Sequence, residues 1–254
     1  MIPVILLGGG NLAFQLAQTF AESEQIDLLQ VYNRTLANIK EFEKFAPTTD
    51  DLEKLVQAAV YIIATSDKAI AELSAKLNDV SGLVVHTSGA MEMRILSPKR
   101  KGVLYPLQSF TKDKEVNFES ITLCLETEET QDYVLLEKLA KAMSVKVYPM
   151  TSAQRKKLHI AAVFVNNFVN YMYAMGEQIC QDHDIPFEVL LPLIKETAQK
   201  METLTPNQAQ TGPASRNDKK TIALHKQELT KEQLTIYNLL SEAILKKNND
   251  GNKL

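Results

Sequence analysis

The chain has 254 residues, of which 45% are hydrophobic and 23% are charged, and its formal net charge is −3. This is the composition of a globular protein, long enough for two compact domains. The charge provides no broad basic surface, which argues against binding to nucleic acid. We therefore expect the partner to be a small molecule.

The opening apolar run and the cysteines bear on location and metal binding. The run from Ile2 to Leu7 has no basic leader and ends in three glycines, unlike a signal peptide or a membrane span. Cys124 and Cys180 are far apart and form no spaced cluster, which argues against a disulfide framework or structural zinc. We expect buried thiols, no metal, no membrane contact and a cytoplasmic location.

In the first half, short apolar runs alternate with helical patterns. Strands are predicted at Ile2 to Leu7, Asp27 to Tyr32, Val60 to Ala64, Leu83 to His86, Ile121 to Leu125 and Val145 to Tyr148. Nearly all-apolar strands separated by helices are typical of a parallel sheet covered on both faces. Residues 1–150 are therefore predicted to form an α/β domain of the Rossmann type.

From Thr151 onward the strand signal stops. A long helical pattern runs from Ser152 to about Gln181, and a second helix follows Pro186. Two more helices are predicted at about Asp218 to Leu229 and Lys231 to Lys247, after a loop rich in turn residues. Residues 151–254 are therefore predicted to form an all-α domain.

A glycine-rich turn follows the first strand directly and precedes a helix. Its sequence, Gly8-Gly9-Gly10-Asn11-Leu12-Ala13, fits the dinucleotide-binding pattern G-x-G-x-x-A. Backbone N–H groups and the helix dipole stabilise a pyrophosphate at such a turn. We predict cofactor contacts from Gly8, Gly10, Asn11 and Leu12. The alternative is a glycine-rich turn that binds nothing.

The second strand ends in Tyr32-Asn33-Arg34-Thr35, where NAD-selective domains usually carry an acidic residue. No carboxylate occupies this place. An arginine there can pair with the adenosine 2′-phosphate or stack on adenine, with Asn33 and Thr35 adding donors. The sequence therefore favours NADP(H) over NAD(H). The alternative is that Arg34 is a solvated loop cation.

Polar residues also follow the third and fourth strands. Thr65 and Ser66 come after the third strand, and the run His86-Thr87-Ser88-Gly89 lies at the end of the fourth. Open sheets bind ligands at the carboxyl ends of parallel strands, so we predict that these hydroxyls and the imidazole border the cofactor or substrate. For Asp67, capping of the next helix is the favoured role.

Candidates for proton transfer lie on the long helix. At 100° per residue, a polar line of His159, Asn166, Asn170, Tyr173 and Glu177 falls within about 40° of one face. His159 is the predicted general acid because imidazole titrates near neutral pH. The alternative for His159 is a hydrogen-bonded core histidine. The alternative for the polar line is a solvated face or a dimer interface.

The loop from Thr211 to Asp218 carries the other catalytic candidate. If it folds over the cleft, Arg216 can bind a substrate carboxylate or the cofactor phosphates. The alternative is an ion pair between Arg216 and Asp218.

Four runs, in this order along the chain, resemble one family of Rossmann-like oxidoreductases. They are Leu7-Gly8-Gly9-Gly10-Asn11, His86-Thr87-Ser88-Gly89-Ala90, Tyr105-Pro106-Leu107-Gln108-Ser109-Phe110 and Thr211-Gly212-Pro213-Ala214-Ser215-Arg216-Asn217-Asp218. The C-terminal half of this family is the domain of unknown function 2520, and its relatives include pyrroline-5-carboxylate reductase, ketopantoate reductase and F420-dependent NADP reductases.

The resemblance implies an N-terminal NADP domain, a helical domain like that of 6-phosphogluconate dehydrogenase, and a homodimer built by those helices. The family's His-to-Asn spacing points to Asn167 rather than Asn166, and a helix lysine used in the wider superfamily makes Lys156 an alternative acid. Two positions depart from the family: Tyr105 stands where a histidine is common, and Asn217 where a glycine is usual. Asparagine also tolerates left-handed backbone.

The expected function is an NADP(H)-dependent reductase or dehydrogenase of a small carbonyl or imine compound, with its substrate between the sheet edge and the helices. The alternative is a cofactor-binding sensor or scaffold without turnover, which Tyr105 in place of the family histidine favours. Use of F420 instead of nicotinamide stays open.

Overall fold

The computed structural model describes residues 1–112 and 114–251. The strands in these ranges are β1 Ile2–Leu7, β2 Ile26–Tyr32, β3 Thr48–Thr49, β4 Val60–Ile63, β5 Leu83–His86, β6 Lys101–Pro106, β7 Leu123–Thr127 and β8 Val147–Pro149. The helices that accompany them are α1 Asn11–Glu22, α2 Asp67–Ala75 and α3 Thr130–Lys141. The predicted alternation of strands and helices is confirmed.

The strands form one sheet in the order β3-β2-β1-β4-β5-β6-β7-β8. Alternate residues of β1 and β4 point to two separate apolar cores, with Val4 and Ile62 in one and Ile5 and Ile63 in the other. Because both faces are covered, the central strands are apolar throughout. Strand β1 pairs with both β2 and β4, so the strand order reverses there, where open sheets bind ligands.

Two strands were not predicted, and the sheet is not parallel throughout. Strand β3 has only two residues, and β6 begins with Lys101 and Gly102 and ends at Pro106, which obscures its apolar pattern. Strand β7 pairs antiparallel with β6. The connection between them contains no α-helix among its described residues, and a parallel pair needs a long crossover. The sheet is therefore mostly parallel, as predicted, with one antiparallel pair at this edge.

The remaining chain is helical, as predicted. Its elements are α4 Ser152–Ala162, a π-helix Val163–Phe168, α5 Val169–Asp182, α6 Leu191–Gln199, α7 Pro206–Ala209, α8 Lys219–Gln227 and α9 Lys231–Gly251. The short helix α7 lies inside the segment that was predicted to be a loop. It forms there because Pro206 occupies its first turn and Thr205 and Gln208 make a capping box.

The chain divides into two compact units, Met1–Asn166 and Asn167–Leu254. This division lies within the helical stretch that begins at Ser152, later in the chain than the boundary predicted at residue 150. The first unit includes α4 because Arg155 of α4 is buried against residues of the sheet domain. Both Cys124 and Cys180 are buried free thiols, as predicted. None of the described helices is long and apolar enough to cross a bilayer.

Candidate functional site

A cavity of about 490 Å³ lies at the carboxyl ends of β1, β2 and β4. Its volume is in the range of small-molecule sites. The residues that line it are Gly8, Gly9, Gly10, Asn11, Leu12, Tyr32, Asn33, Arg34, Asn38, Ala64, Thr65, Ser66, Ala69, Glu72, Leu73, Lys76 and Thr87. Eight of the predicted cofactor residues therefore line this one cavity: Gly8, Gly10, Asn11, Leu12, Asn33, Arg34, Thr65 and Ser66.

Gly8 and Gly10 have different structural roles in the turn. Gly8 has a φ of +147°, and a Cβ on it would collide with the carbonyl oxygen of Ala64, so Gly8 lets β1 end tightly beside β4. A Cβ on Gly10 would meet no atom within 4 Å. Gly10 is the N-cap of α1 and provides no side-chain cap, and the first-turn N–H groups of a helix have no partner inside it. This open, hydrogen-bond-donating turn fits a dinucleotide pyrophosphate.

The turn is braced by the segment that follows β6. Asn11 Nδ2 donates to the carbonyl oxygen of Phe110 at 3.0 Å. Gln15 Nε2, buried on α1, donates to the carbonyl oxygens of Thr111, Lys112 and Lys114 at 3.1–3.3 Å. Two of the runs that carry the family resemblance, the glycine turn and Tyr105 to Phe110, are thereby held together although they are far apart in sequence.

At the end of β2, Asn33 shapes the turn that carries Arg34. Its Oδ1 accepts a hydrogen bond from the Thr35 N–H at 3.2 Å, and a Cβ on Gly9 would collide with its Nδ2. Arg34 is exposed and lines the cavity. Thr35 is absent from the cavity wall and is the N-cap of the 3₁₀ helix Leu36–Lys44. A cofactor contact from Thr35 stays a prediction.

After β4 and β5, the residues that face the cavity differ in part from those predicted. Thr65 and Ser66 line it, and so does Thr87, whose Oγ1 donates to the carbonyl oxygen of Ile63 at 3.4 Å. His86 and Ser88 are not in this wall.

The His86 ring is fully buried. Its Nδ1 accepts a hydrogen bond from the Ser88 N–H at 3.1 Å, while Nε2 has no partner among the described residues. Burial, with a contribution from the Arg155 charge, lowers the pKa of His86 to about 4. The imidazole is therefore neutral at neutral pH and carries its proton on Nε2. A direct cofactor contact from His86 or Ser88 stays a prediction.

The predicted acid His159 is half-buried and lies beside Tyr105. The Tyr105 hydroxyl is 3.2 Å from His159 Nδ1, and the two rings meet edge to face with centroids 6.2 Å apart. Gly89 makes room for both, because a Cβ there would lie 2.7 Å from His159 Nδ1 and from Tyr105 Cζ. Burial raises the pKa of Tyr105, so the phenol keeps its proton at neutral pH.

Arg155 ties the start of α4 to the sheet. It is fully buried, forms an ion pair with Glu126 of β7, and donates to the carbonyl oxygens of Ser88 at 3.2 Å and Met91 at 2.5 Å. It thus holds the loop that contains Gly89 and the helix that carries His159. Sequence reasoning missed Arg155 because its run, Gln154-Arg155-Lys156-Lys157, is indistinguishable from a solvated charged segment.

Lys156, the alternative acid, is in an ion pair. Its Nζ lies 2.6 Å from Glu92 Oε1. The hydrogen bond that Lys156 donates is the largest cause of the lowered pKa of Glu92. The carboxylate therefore stays charged beside Lys156.

Asn166 and Asn167 are both exposed and lie in the π-helix Val163–Phe168. A π turn closes i→i+5 hydrogen bonds, so 100° per residue does not hold across it. The regular helical spacing that places Asn166 on the His159 face therefore does not apply across this segment, and the choice between Asn166 and Asn167 stays open. Short π segments occur frequently at functional sites. The catalytic roles of both asparagines stay predictions.

In the second unit, Asn217 has a φ of +54°, which confirms that its position needs left-handed backbone. Asp218 caps α8 by accepting a hydrogen bond from the Thr221 N–H at 3.0 Å. This bond, followed by the Thr221 hydroxyl, lowers the pKa of Asp218, with a smaller effect from Arg216. Arg216 is exposed, and its binding role stays a prediction.

Comparisons with known proteins agree on the family. The model of a domain of unknown function, DUF2520, matches residues 121–244. A solved structure from Bacteroides fragilis, provisionally assigned as an NADP oxidoreductase, is 38% identical, with a TM-score of 0.88 over 96% of this chain and 98% of that one. No protein with a curated description matches the chain.

More distant structures share the fold. A protein from Thermotoga maritima is 20% identical with a TM-score of 0.75, over 98% of this chain and 99% of that one. An imine reductase from Myxococcus stipitatus, solved with NADP⁺, is 13% identical with a TM-score of 0.65, over 99% of this chain and 94% of that one. The 38% identity over almost the full length and the match to the DUF2520 model show that the chain belongs to the Rossmann-like NADP oxidoreductase family with a C-terminal DUF2520 domain.

Proposed function

We propose that this protein is an NADP(H)-dependent oxidoreductase that reduces or oxidises a small carbonyl or imine compound. The observation that carries the proposal is the cavity at the strand-order reversal, where Gly10 leaves an open helix N-terminus and Arg34 replaces the usual acidic residue. The Bacteroides and Myxococcus proteins support the choice of cofactor, since NADP is named for both.

The parts of the cavity suit the parts of the cofactor. The first turn of α1 holds the pyrophosphate through backbone N–H groups, and Arg34 pairs with the 2′-phosphate. Thr65, Ser66 and Thr87 lie along the carboxyl ends of β4 and β5, on the path toward β6. When bound, the nicotinamide supplies or accepts the hydride.

His159 and Tyr105 handle the proton. In the protonated form of His159, Nδ1–H donates to the hydroxyl oxygen of Tyr105, whose phenol keeps its own proton. Nε2–H then gives its proton to the substrate oxygen or nitrogen, and the neutral imidazole that remains regains a proton from water. Arg155 holds the loop and helix that position this pair. The placement of the substrate between the two domains, and the roles of Asn166, Asn167 and Arg216, stay predictions.

We also propose that the protein works as a homodimer built by its C-terminal helices, in the cytoplasm. Large apolar side chains of the second unit are exposed, among them Val189 (65%), Leu193 (62%), Leu224 (55%) and Leu239 (68%). A monomer rarely leaves large contiguous apolar surface in water. Light scattering during gel filtration should give twice the 28.5 kDa chain mass; a monomer at micromolar concentration would refute the dimer.

The cofactor proposal is tested by thermal shift titration with NADPH, NADH and reduced F420, since a ligand that binds the folded state raises its apparent stability. NADPH should stabilise the protein selectively, and Arg34→Ala should abolish that preference. The control is Lys40→Ala, an exposed cation outside the cavity wall. No shift with any of the three compounds would contradict the proposal.

Turnover separates an enzyme from a sensor. A panel of small carbonyl and imine compounds, followed by loss of NADPH absorbance, should reveal a substrate whose reduction depends on His159. Tight NADPH binding with no turnover across the panel would favour the sensor or scaffold instead.

A further inference from the structure

One wall of the cavity is a face of α2 that sequence analysis did not assign to any function. Ala69, Glu72, Leu73 and Lys76 line the cavity, at the three- and four-residue spacing that places side chains on one side of a helix. Lys76 is the C-cap residue of α2. Arg34 and Asn33, at the end of β2, line the same cavity as this face.

The positive and negative charges that line the whole cavity are unequal in number. Among the residues that line the cavity, Arg34 and Lys76 are the cations and Glu72 is the acid. Lys76 Nζ lies 3.1 Å from Glu72 Oε1, and the side chains are 54% and 77% exposed. An exposed ion pair of this kind contributes little free energy to folding. Lys76 can therefore leave Glu72 and bind a more highly charged anion at little cost in free energy.

We propose that Lys76 is a second ligand, beside Arg34, for a phosphate monoester on the adenosine of the cofactor, and that Glu72 opposes this phosphate. This inference rests on the proposed function. A phosphate dianion binds two cations more strongly than one, through charge-assisted hydrogen bonds. Ala69 and Leu73 provide the apolar surface next to it for the adenine ring.

Glu72 acts on the phosphorylated dinucleotide alone. In the ligand-free protein it neutralises Lys76; in the complex its carboxylate repels the nearby phosphate. Removing the carboxylate therefore strengthens binding of NADPH and leaves binding of NADH unchanged. Glu72 and Lys76 together set the preference between the two cofactors.

The competing role for Lys76 is structural. A cation at a helix C-terminus interacts favourably with the helix dipole, whatever the ligand. The two roles differ in one measurable respect: a structural lysine affects stability and all ligands alike, whereas a phosphate ligand discriminates between NADPH and NADH.

The test compares dissociation constants for NADPH and NADH by isothermal titration calorimetry, with adenosine 2′,5′-bisphosphate and AMP as smaller probes. The variants are Lys76→Ala and Glu72→Gln, with Lys68→Ala as the control because Lys68 is exposed on the same helix but outside the cavity wall. Melting temperatures establish that each variant is folded.

Lys76→Ala should weaken NADPH and the bisphosphate roughly tenfold and leave NADH and AMP unchanged, as expected for loss of one charge-assisted bond. Glu72→Gln should strengthen NADPH about threefold. Both effects should shrink at high salt. Lys68→Ala should change neither ligand.

Three outcomes would overturn the inference: equal weakening of NADPH and NADH by Lys76→Ala, no difference between Lys76→Ala and Lys68→Ala, or weaker NADH binding by Glu72→Gln. The last result would mean that Glu72 binds ribose hydroxyls. If the unmodified protein binds no dinucleotide, the proposed function fails too. If the unmodified protein prefers NADPH and Lys76→Ala changes neither dissociation constant, only the role of Lys76 is refuted.

Discussion

The Tyr105 hydroxyl lies 3.2 Å from Nδ1 of His159. Tyr105 stands at the end of β6, and His159 lies on α4, 54 residues later in the chain. The residue that departs from the family pattern is therefore a direct partner of the residue selected as the acid. Tyrosine at this position preserves a hydrogen-bonding group next to the imidazole, which weakens the argument for a protein without catalysis.

We predict that His159→Ala lowers kcat about a hundredfold or more, as expected for loss of a general acid. Tyr105→Phe should lower kcat roughly tenfold and shift the pH profile, because the imidazole loses its Nδ1 partner. NADPH binding should be unchanged in both. The control is Tyr148→Phe, an exposed tyrosine of β8. Normal turnover by His159→Ala would remove His159 from the mechanism.

The glycine turn supports a paired prediction. Gly8→Ala should destabilise the fold by about 2 kcal/mol or more, because φ is positive and the new Cβ collides with Ala64. Gly10→Ala should leave stability nearly unchanged, since its Cβ position is open, yet weaken NADPH about tenfold by filling the pyrophosphate site. Urea unfolding and calorimetric titration measure the two effects. Tight NADPH binding by Gly10→Ala would contradict the placement of the cofactor.

Stability should fall in acid because of His86. Its pKa is lowered from 6.5 to about 4, so between these values the unfolded chain binds a proton that the folded chain excludes. The free energy of unfolding should therefore decrease as pH falls from about 6.5 to 4, by about 3 kcal/mol in total from this residue.

Urea unfolding at several pH values isolates this contribution. His86→Phe should reduce the slope of stability against pH in that window relative to the unmodified protein, while carboxylates contribute equally to both. His183→Gln, at an exposed histidine, is the control and should keep the full slope. An identical slope in His86→Phe would mean that His86 does not titrate as its burial implies.

The buried ion pair of Arg155 and Glu126 should be costly to break. Arg155→Met leaves the Glu126 carboxylate without its partner and two carbonyl oxygens without a donor, so we expect a loss of about 3–5 kcal/mol. The neighbouring Lys157→Met removes the same charge from an exposed position and should change stability by less than about 0.5 kcal/mol. Equal effects in chemical denaturation would show that Arg155 is not the link between sheet and helix.

Some features could be predicted because they depend on neighbours in sequence. The apolar runs of β1, β4 and β5 are recognisable because parallel strands covered on both faces must be apolar at every position. The glycine turn is recognisable from its place between a strand and a helix. Asn217 was expected to accept left-handed backbone, and its φ of +54° follows from a local conformational preference.

By itself, then, the sequence determined the α/β and all-α halves and the glycine turn between β1 and α1, and it supplied His159 as the candidate acid. The tertiary structure decided which distant residues lie together: Tyr105 with His159, Arg155 with Glu126, and Lys76 with Arg34 around one cavity. It also decided that a π turn interrupts the regular helix around Asn166 and Asn167. The physical reason is range: backbone preference and hydrophobic period act over a few residues, whereas these contacts depend on how the strands are ordered and how the helices pack on them.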